Sequence, residues 1–188
     1  MDRRAHVRQM ADYNRWMNER LYAAAATLDE AAIHADRGAF FGSLFGTLNH
    51  LVVADTLWLK RFATHPTGFT ALAPLAHEAA PTALDQPMAD TLAALSGHRA
   101  WLDAIIADWA ALLTEADLDV ALAYCNTRGV AATRNFFALL MHFFNHQTHH
   151  RGQATTLLSQ AGVDIGGTDL LLRIPEVDPD DAPEATRA

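Results

Sequence analysis

The sequence predicts an all-α protein: a four-helix bundle with one long crossover connection and a small β-hairpin before the last helix. Three observations support this fold class. Hydrophobic residues make up 51% of the 188 residues, which is enough for a substantial core. Four long segments repeat apolar residues at steps of three or four, the spacing of one helix face. Four prolines within residues 66–87 indicate an irregular connection between the second and third segments.

The first two helices are predicted before this connection. The first spans residues 3–28, which contain neither glycine nor proline, and its apolar face consists of Met10, Tyr13, Met17 and Leu21. A loop containing Gly38 leads to the second helix, residues 43–63, which ends before His65 and Pro66. Its buried face is predicted to consist of Leu44, Leu48, Leu51 and Leu59.

The second half of the chain predicts two more helices and the hairpin. The third helix spans residues 88–113, and its apolar face consists of Leu92, Leu95, Leu102, Ile105, Trp109 and Leu112. Residues 118–124 and 129–133 are predicted as the two strands. The last helix spans residues 133–160, and Gly162 is its expected end.

Chain length favours one domain, with residues 1–163 as the helical part and residues 164–188 as a C-terminal extension. From Glu176 onwards the chain carries five acids, two prolines and one arginine, and we expect this tail to be flexible. The tail holds half of the net charge of -8, so the folded part is mildly acidic. An acidic protein is a poor match for a phosphate backbone, and we expect no nucleic-acid partner.

A single cysteine, Cys125, excludes an intramolecular disulfide and a CxxC metal knuckle. It lies near the predicted hairpin turn, where a small hydrophobic residue and a reactive thiol are both open interpretations. No apolar run approaches the roughly 18 residues typical of a membrane span, and the first residues lack the apolar core of a signal peptide. We therefore expect a soluble cytoplasmic protein with no membrane partner.

Four of the ten histidines lie within nine residues of the last predicted helix. At about 100° per residue, one face of that helix carries His142, His146, His149, His150 and Gln153. Leu139 and Leu157 share this face, so we expect it to point inward. Buried imidazoles are costly unless each nitrogen finds a partner, and one metal ion satisfies several of them at once.

His146 and His150 lie four residues apart, so they are neighbours on a helix and can direct two nitrogen atoms at one ion. A third ligand must come from another helix, and His50 on the second helix is the candidate. Gly46, Thr47 and Ala54 near His50 leave room for a ligand. Alternatively, all three histidines are ordinary polar residues of the core.

Trp58 and Arg61 lie on roughly the same helix face as His50, and both are candidates for the mouth of a pocket. Alternatively, Trp58 is an ordinary core residue and Arg61 is a solvated charge. No glutamate has a histidine three residues further on, as di-iron bundles require, and HExxH is absent. Any metal ion would therefore be held by imidazole alone.

Three segments resemble the DinB family, also described as DinB/YfiT-like metalloenzymes. Residues 13–21 are similar to its YNxWxNxxL opening, residues 48–59 to its first-ligand helix, and residues 142–153 to its HxxxHxxxHRGQ signature. The resemblance covers residues from about 5 to 160.

The resemblance implies a four-helix bundle with a divalent metal ion, nickel or zinc, bound by His50, His146 and His150. It assigns no metal-binding role to His142 and His149, which we expect either to support the ligands from around the site or to accept a hydrogen bond from a ligand imidazole. Family members are often dimers, so a homodimer is expected. The last helix is apolar on a second face, at Phe137, Leu140 and Phe144, which indicates a central helix or a dimer interface.

Three neutral histidines leave coordination positions open, which is typical of a catalytic metal site. Family members with known activity use low-molecular-weight thiols, as mycothiol-dependent isomerases and bacillithiol transferases do. The resemblance therefore implies a metal-dependent enzyme of the thiol S-transferase or hydrolase type, with a small-molecule substrate that includes such a thiol. Two alternatives stay open: a non-catalytic metal-binding stress-response protein and a metal-free helical interaction module.

Overall fold

The computed structural model describes residues 2–176, and most of them are helical. Its α-helices are α1 Arg3–Ala25, α2 Glu30–His34, α3 Leu44–Phe62, α4 Leu92–Leu112, α5 Glu115–Leu118 and α6 Phe136–Gln160. Two strands, β1 Ala121–Cys125 and β2 Ala131–Asn135, form an antiparallel hairpin, and Thr70–His77 and Leu170–Arg173 are 3₁₀ helices. Within this range, none of the helices has the length and apolar character needed to cross a lipid bilayer.

Short polar side chains set the starts of three long helices. Ser43, Thr91 and Asn135 each accept a hydrogen bond from the backbone N–H three residues further on, at 3.0–3.2 Å. Such caps satisfy donors that the first helical turn leaves free. The Thr91 cap explains why α4 begins at Leu92 rather than at the predicted residue 88.

Two short helices lie where the sequence predicted no helix: α2 falls in the predicted loop, and α5 precedes the first predicted strand and overlaps only its first residue, Leu118. The carboxylate of Asp29 caps α2 by accepting the N–H of Ala32 at 2.7 Å. Thr114 and Asp117 cap α5 reciprocally, since each side chain accepts the backbone N–H of the other. These local hydrogen bonds favour one helical turn and delay β1 until Ala121.

The predicted hairpin before the last helix is confirmed, although each strand begins two or three residues later than predicted. Ala121 pairs with Asn135 at its open end. In the turn, Gly129 has φ +76°, which glycine adopts without a steric penalty. The side-chain oxygen of Asn126 accepts two backbone N–H groups across the turn. The hairpin therefore leads directly into α6.

The four long helices supply most of the hydrophobic core. Helix α1 packs against α4 and α6, and α3 packs against the same two helices. All four leucines predicted on the buried face of the second helix are buried. Leu112, which shares the apolar spacing of the third predicted helix, lies at the end of α4, where its side chain is 53% exposed.

Helix α6 is covered by its own chain on the side opposite the histidines. Leu140 and Phe144 on that side are buried in the core, and Phe137 packs against it. The second apolar face therefore needs no partner subunit to leave water. A homodimer would have to use another surface.

A buried polar network crosses this core. Arg99 of α4 donates a hydrogen bond to Asp55 of α3 and lies 3.0 Å from a carboxylate oxygen of Asp103 on its own helix. Asn14 and Asn18 of α1 donate to Asp103 at 2.9 and 3.0 Å. All five side chains are buried, so three of the four long helices share one charged cluster.

Helix α6 joins the same network. Gln147 donates to Asp55 at 2.7 Å, and Arg151 donates to Asn14. Burying a charge is costly unless it is paired and hydrogen-bonded. The four helices therefore pack in the register that brings these partners together.

The chain after α6 returns to α1. Gly162, with φ +80°, ends the helix as predicted. The Tyr13 hydroxyl then donates to the carbonyl of Thr168 at 2.7 Å, and Arg173 pairs with Asp12 at 2.7 Å. Apart from Glu176, the acidic tail that the sequence predicts to be flexible lies outside the described residues.

Replacing Arg99 by methionine removes the cation between Asp55 and Asp103 and keeps most of the side-chain volume. We expect the free energy of unfolding to fall by about 3–5 kcal/mol, because two buried carboxylates lose their partner. Urea denaturation measures this loss. Arg3→Met is the control: its ion pairs are partly exposed and screened by solvent, so its loss should be much smaller than that of Arg99→Met. Equal losses in both variants would contradict the role given to Arg99.

Candidate metal centre

Three histidines from two helices converge at one point. His50 lies on α3, and His146 and His150 lie on α6. Nε2 of His146 is 3.4 Å from Nε2 of His50 and 3.1 Å from Nε2 of His150. One ring nitrogen of each residue lies within 4.8 Å of the others. The structure thus brings together the three histidines that the sequence singled out.

Hydrogen bonds on the far side of two rings determine where their protons lie. Nδ1 of His50 is 2.9 Å from the carbonyl oxygen of Leu84, and Nδ1 of His150 is 2.7 Å from the side-chain oxygen of Gln153. An oxygen acceptor requires N–H at Nδ1, so both Nε2 atoms carry lone pairs. His146 has at most one proton at Nε2 to share between them. At least one lone pair in the cluster therefore lacks a donor, a need that a cation would meet.

Burial keeps these imidazoles neutral. Loss of water disfavours the charged ring and lowers the pKa of His50 to about 4 and that of His146 to about 3. The same cause lowers the pKa of His150. At neutral pH all three side chains are free of the extra proton that would block metal binding. Neutral nitrogen donors of this kind suit zinc and nickel, so the cluster is compatible with a divalent metal ion.

Phe41 supports the cluster from the loop before α3, and no pattern in the sequence pointed to it. Its ring stacks on His50 with centroids 3.9 Å apart and planes 18° apart. This approach depends on Gly46, because a Cβ at that position would overlap the carbonyl oxygen of Phe41. The space beside Gly46, predicted to admit a ligand, is therefore filled by the loop. Ala54, in contrast, does line the pocket.

The histidine cluster lies in the wall of a pocket of about 420 Å³. Its apolar lining consists of Phe40, Phe41, Ala54, Leu57, Trp58 and Leu84. Its remaining lining consists of the cluster, His142, His149, Gln153, Arg61, Asn126 and Thr127. Across residues 2–176, no carboxylate contributes to this lining. A volume of this size suits a small molecule.

His142 and His149 lie outside the cluster. The ring of His142 packs 5.0 Å from that of Trp58, and both histidines are exposed. Nδ1 of His50 and Nδ1 of His150 hydrogen-bond to Leu84 and Gln153, so neither makes the hydrogen bond that was expected with His142 or His149. The histidine face of α6 therefore opens towards solvent, and the prediction that it points inward is wrong for these two residues.

Trp58 and Arg61 line the pocket, which is one of the two roles that the sequence left open for them. The guanidinium carbon of Arg61 lies 4.6 Å from the Trp58 ring centroid. Cys125 is exposed and lines an adjoining pocket, which Arg61 also borders. The cysteine is thus separate from the histidine cluster.

The fold and the cluster define a class: a mainly helical protein with three imidazoles from two helices beside a small-molecule pocket. The chain belongs to the DinB family, whose model matches residues 1–181. Protein DinB of Bacillus subtilis (strain 168) is 25% identical over 162 residues, which cover 86% of this chain and 89% of that protein. No solved structure matches the chain. The family resemblance seen in the three motifs is therefore confirmed.

Gly46→Ala tests the close approach of the Phe41 loop. The added methyl group has no space, so the loop must move away from His50, and we expect a loss of about 1–3 kcal/mol in the free energy of unfolding. Urea denaturation measures it. Gly97→Ala is the control because that helical glycine faces open space; it should gain about 0.5–1 kcal/mol. A gain in both variants would contradict the contact.

Proposed function

We propose that this protein is a metal-dependent enzyme that transfers the sulfur of a small thiol to an electrophilic carbon. In this proposal His50, His146 and His150 hold a divalent ion, nickel or zinc, within a four-helix bundle. The supporting observation is the convergence of three neutral imidazole nitrogens at a pocket of small-molecule size. Membership of the DinB family agrees with it.

A divalent ion at this cluster would supply the positive charge that keeps a thiol ionised at neutral pH. The residues of the chain orient the imidazoles and shape the pocket. Leu84 and Gln153 hold two imidazoles with Nε2 directed at the cluster. Phe41 fixes the plane of His50 by stacking. The apolar wall limits water beside the sulfur and gives the electrophile a surface to pack against.

The lining of the pocket favours a thiol over water as the nucleophile. Zinc hydrolases of the HExxH type place a glutamate base beside the metal. In the described range the pocket offers no aspartate or glutamate for that task. A free thiol, with a pKa of about 8.5, also loses its proton far more readily than water, at about 15.7. Hydrolysis is therefore the weaker of the two activities expected from the sequence.

Metal binding is the first test. We expect the protein to bind one Zn²⁺ or Ni²⁺ per chain in isothermal titration calorimetry. His146→Ala should lower the affinity at least about 100-fold, because it removes the central nitrogen of the cluster. His149→Ala is the matched control: this exposed histidine lies three residues along the same helix and outside the cluster. Equal affinities in the two variants would refute the ligand assignment.

Sulfur transfer is the second test. Metal-loaded protein is mixed with a small thiol and chlorodinitrobenzene, and the coloured thioether is followed by absorbance. A carbon–sulfur bond forms, the carbon–chlorine bond breaks, chloride leaves and the thiol proton passes to solvent. We expect a rate above that of His150→Ala under the same conditions, since that variant lacks one ligand nitrogen. Equal rates would reject the transferase and favour a non-catalytic metal-binding protein.

A further inference from the structure

Arg61 lies in the last turn of α3, at the far end of the pocket from the histidine cluster. Its guanidinium carbon is 4.6 Å from the ring centroid of Trp58 and 5.6 Å from that of Tyr124 on β1. Two aromatic contacts hold the cation in place. Arg61 borders both the histidine pocket and an adjoining pocket of about 510 Å³. A ligand bound in either pocket would therefore lie beside Arg61.

The charge of Arg61 has no anionic partner in the part of the chain that the structure describes. The ion pairs found there belong to other arginines, and neither pocket is lined by an aspartate or glutamate. Arg99, in contrast, is matched by two carboxylates. Partial burial lowers the pKa of Arg61, because loss of water disfavours its charged form. A partly desolvated cation facing a pocket is suited to an anion brought by the ligand.

The surroundings indicate which anion fits. The turn of the hairpin adds the neutral side chains of Asn126 and Thr127 to the lining beside Arg61. The oxygen of Asn126 already accepts two backbone N–H groups, which leaves its NH₂ group as a donor. One guanidinium with neutral donors matches the single charge and two oxygens of a carboxylate better than the double charge of a phosphate.

A continuous row of rings joins Arg61 to the cluster. Trp58 contacts Arg61, the ring of His142 lies 5.0 Å from that of Trp58, and the ring of His146 lies 6.0 Å from that of His142. A ligand that lies along these rings reaches both ends of the pocket. Its reacting group and its charged group are then separated by this row of rings.

We propose that the substrate of this pocket is a carboxylate-bearing thiol, with its carboxylate bound by Arg61 and its sulfur at the histidine cluster. The role of the sulfur rests on the proposed function, whereas the role of Arg61 rests on the uncompensated charge in the pocket. Arg61 is thus a binding residue that selects acids over their neutral analogues.

The probes are mercaptohexanoate and its amide, mercaptohexanamide, titrated into the nickel-loaded protein. Calorimetry reports the affinity, and the thiolate-to-nickel charge-transfer band reports contact of sulfur with the metal. We expect the acid to bind at least about tenfold more tightly than the amide, the worth of one charge-assisted contact. Arg61→Gln should abolish this preference and leave the affinity for Ni²⁺ unchanged, while Arg61→Lys should keep part of the preference.

Lys60→Gln is the matched control. Lys60 is the basic residue next to Arg61 in the sequence and borders the adjoining pocket. Its ammonium group, however, already donates to the carbonyl of Leu75 at 2.6 Å. The preference for the acid should survive in this variant. Equal affinities for acid and amide in the wild type, or a preference that persists in Arg61→Gln, would overturn the role of Arg61. An Arg61-dependent preference without a charge-transfer band would support Arg61 and instead refute the contact of sulfur with the metal.

Discussion

The ion pair between Arg99 and Asp55 is the interaction on which the rest of the structure depends. It lies in the core, where an unmatched charge would be costly, and it ties α4 to α3. Gln147 extends it to α6 by donating to the same carboxylate oxygen of Asp55. Because Asp55 follows His50 by five residues and Gln147 follows His146 directly, this network sets how the two histidine-bearing helices face each other. The geometry of the candidate metal centre is therefore a consequence of the core.

A network of this kind specifies an arrangement more than it adds stability. Apolar side chains of similar volume are often as stabilising as a buried ion pair, but they tolerate sliding of one helix along another. Arg99 and Asp103 allow no such sliding of the helices, because each hydrogen-bonds to partners on a different helix. Three Nε2 atoms within a few ångströms of one another demand the same accuracy. The polar core therefore supplies the fixed register that the candidate metal centre requires.

Features that depend on neighbours in sequence were predictable, and those that depend on distant contacts were not. Apolar periodicity located all four long helices, and the spacing of His146 and His150 placed them on one face. Helix starts were less certain because a cap such as Thr91 overrides the apolar pattern. Phe41 and Leu84 approach the cluster from loops, and no local pattern in the sequence indicates which loop residue reaches a given helix.

The last helix combines two tasks on adjacent faces: one face carries the histidines, and the neighbouring face joins the core. On a helix, the next residue lies about 100° further round the axis. His146 and His150 therefore face the pocket, while Gln147 and Arg151, one residue further on, turn into the core and join the polar network. In the motif, His146 is followed directly by Gln147, and His150 by Arg151. Each pair therefore places a residue of the site next to a residue of the polar network. The signature thus carries both the nitrogen donors and the contacts that hold them in register.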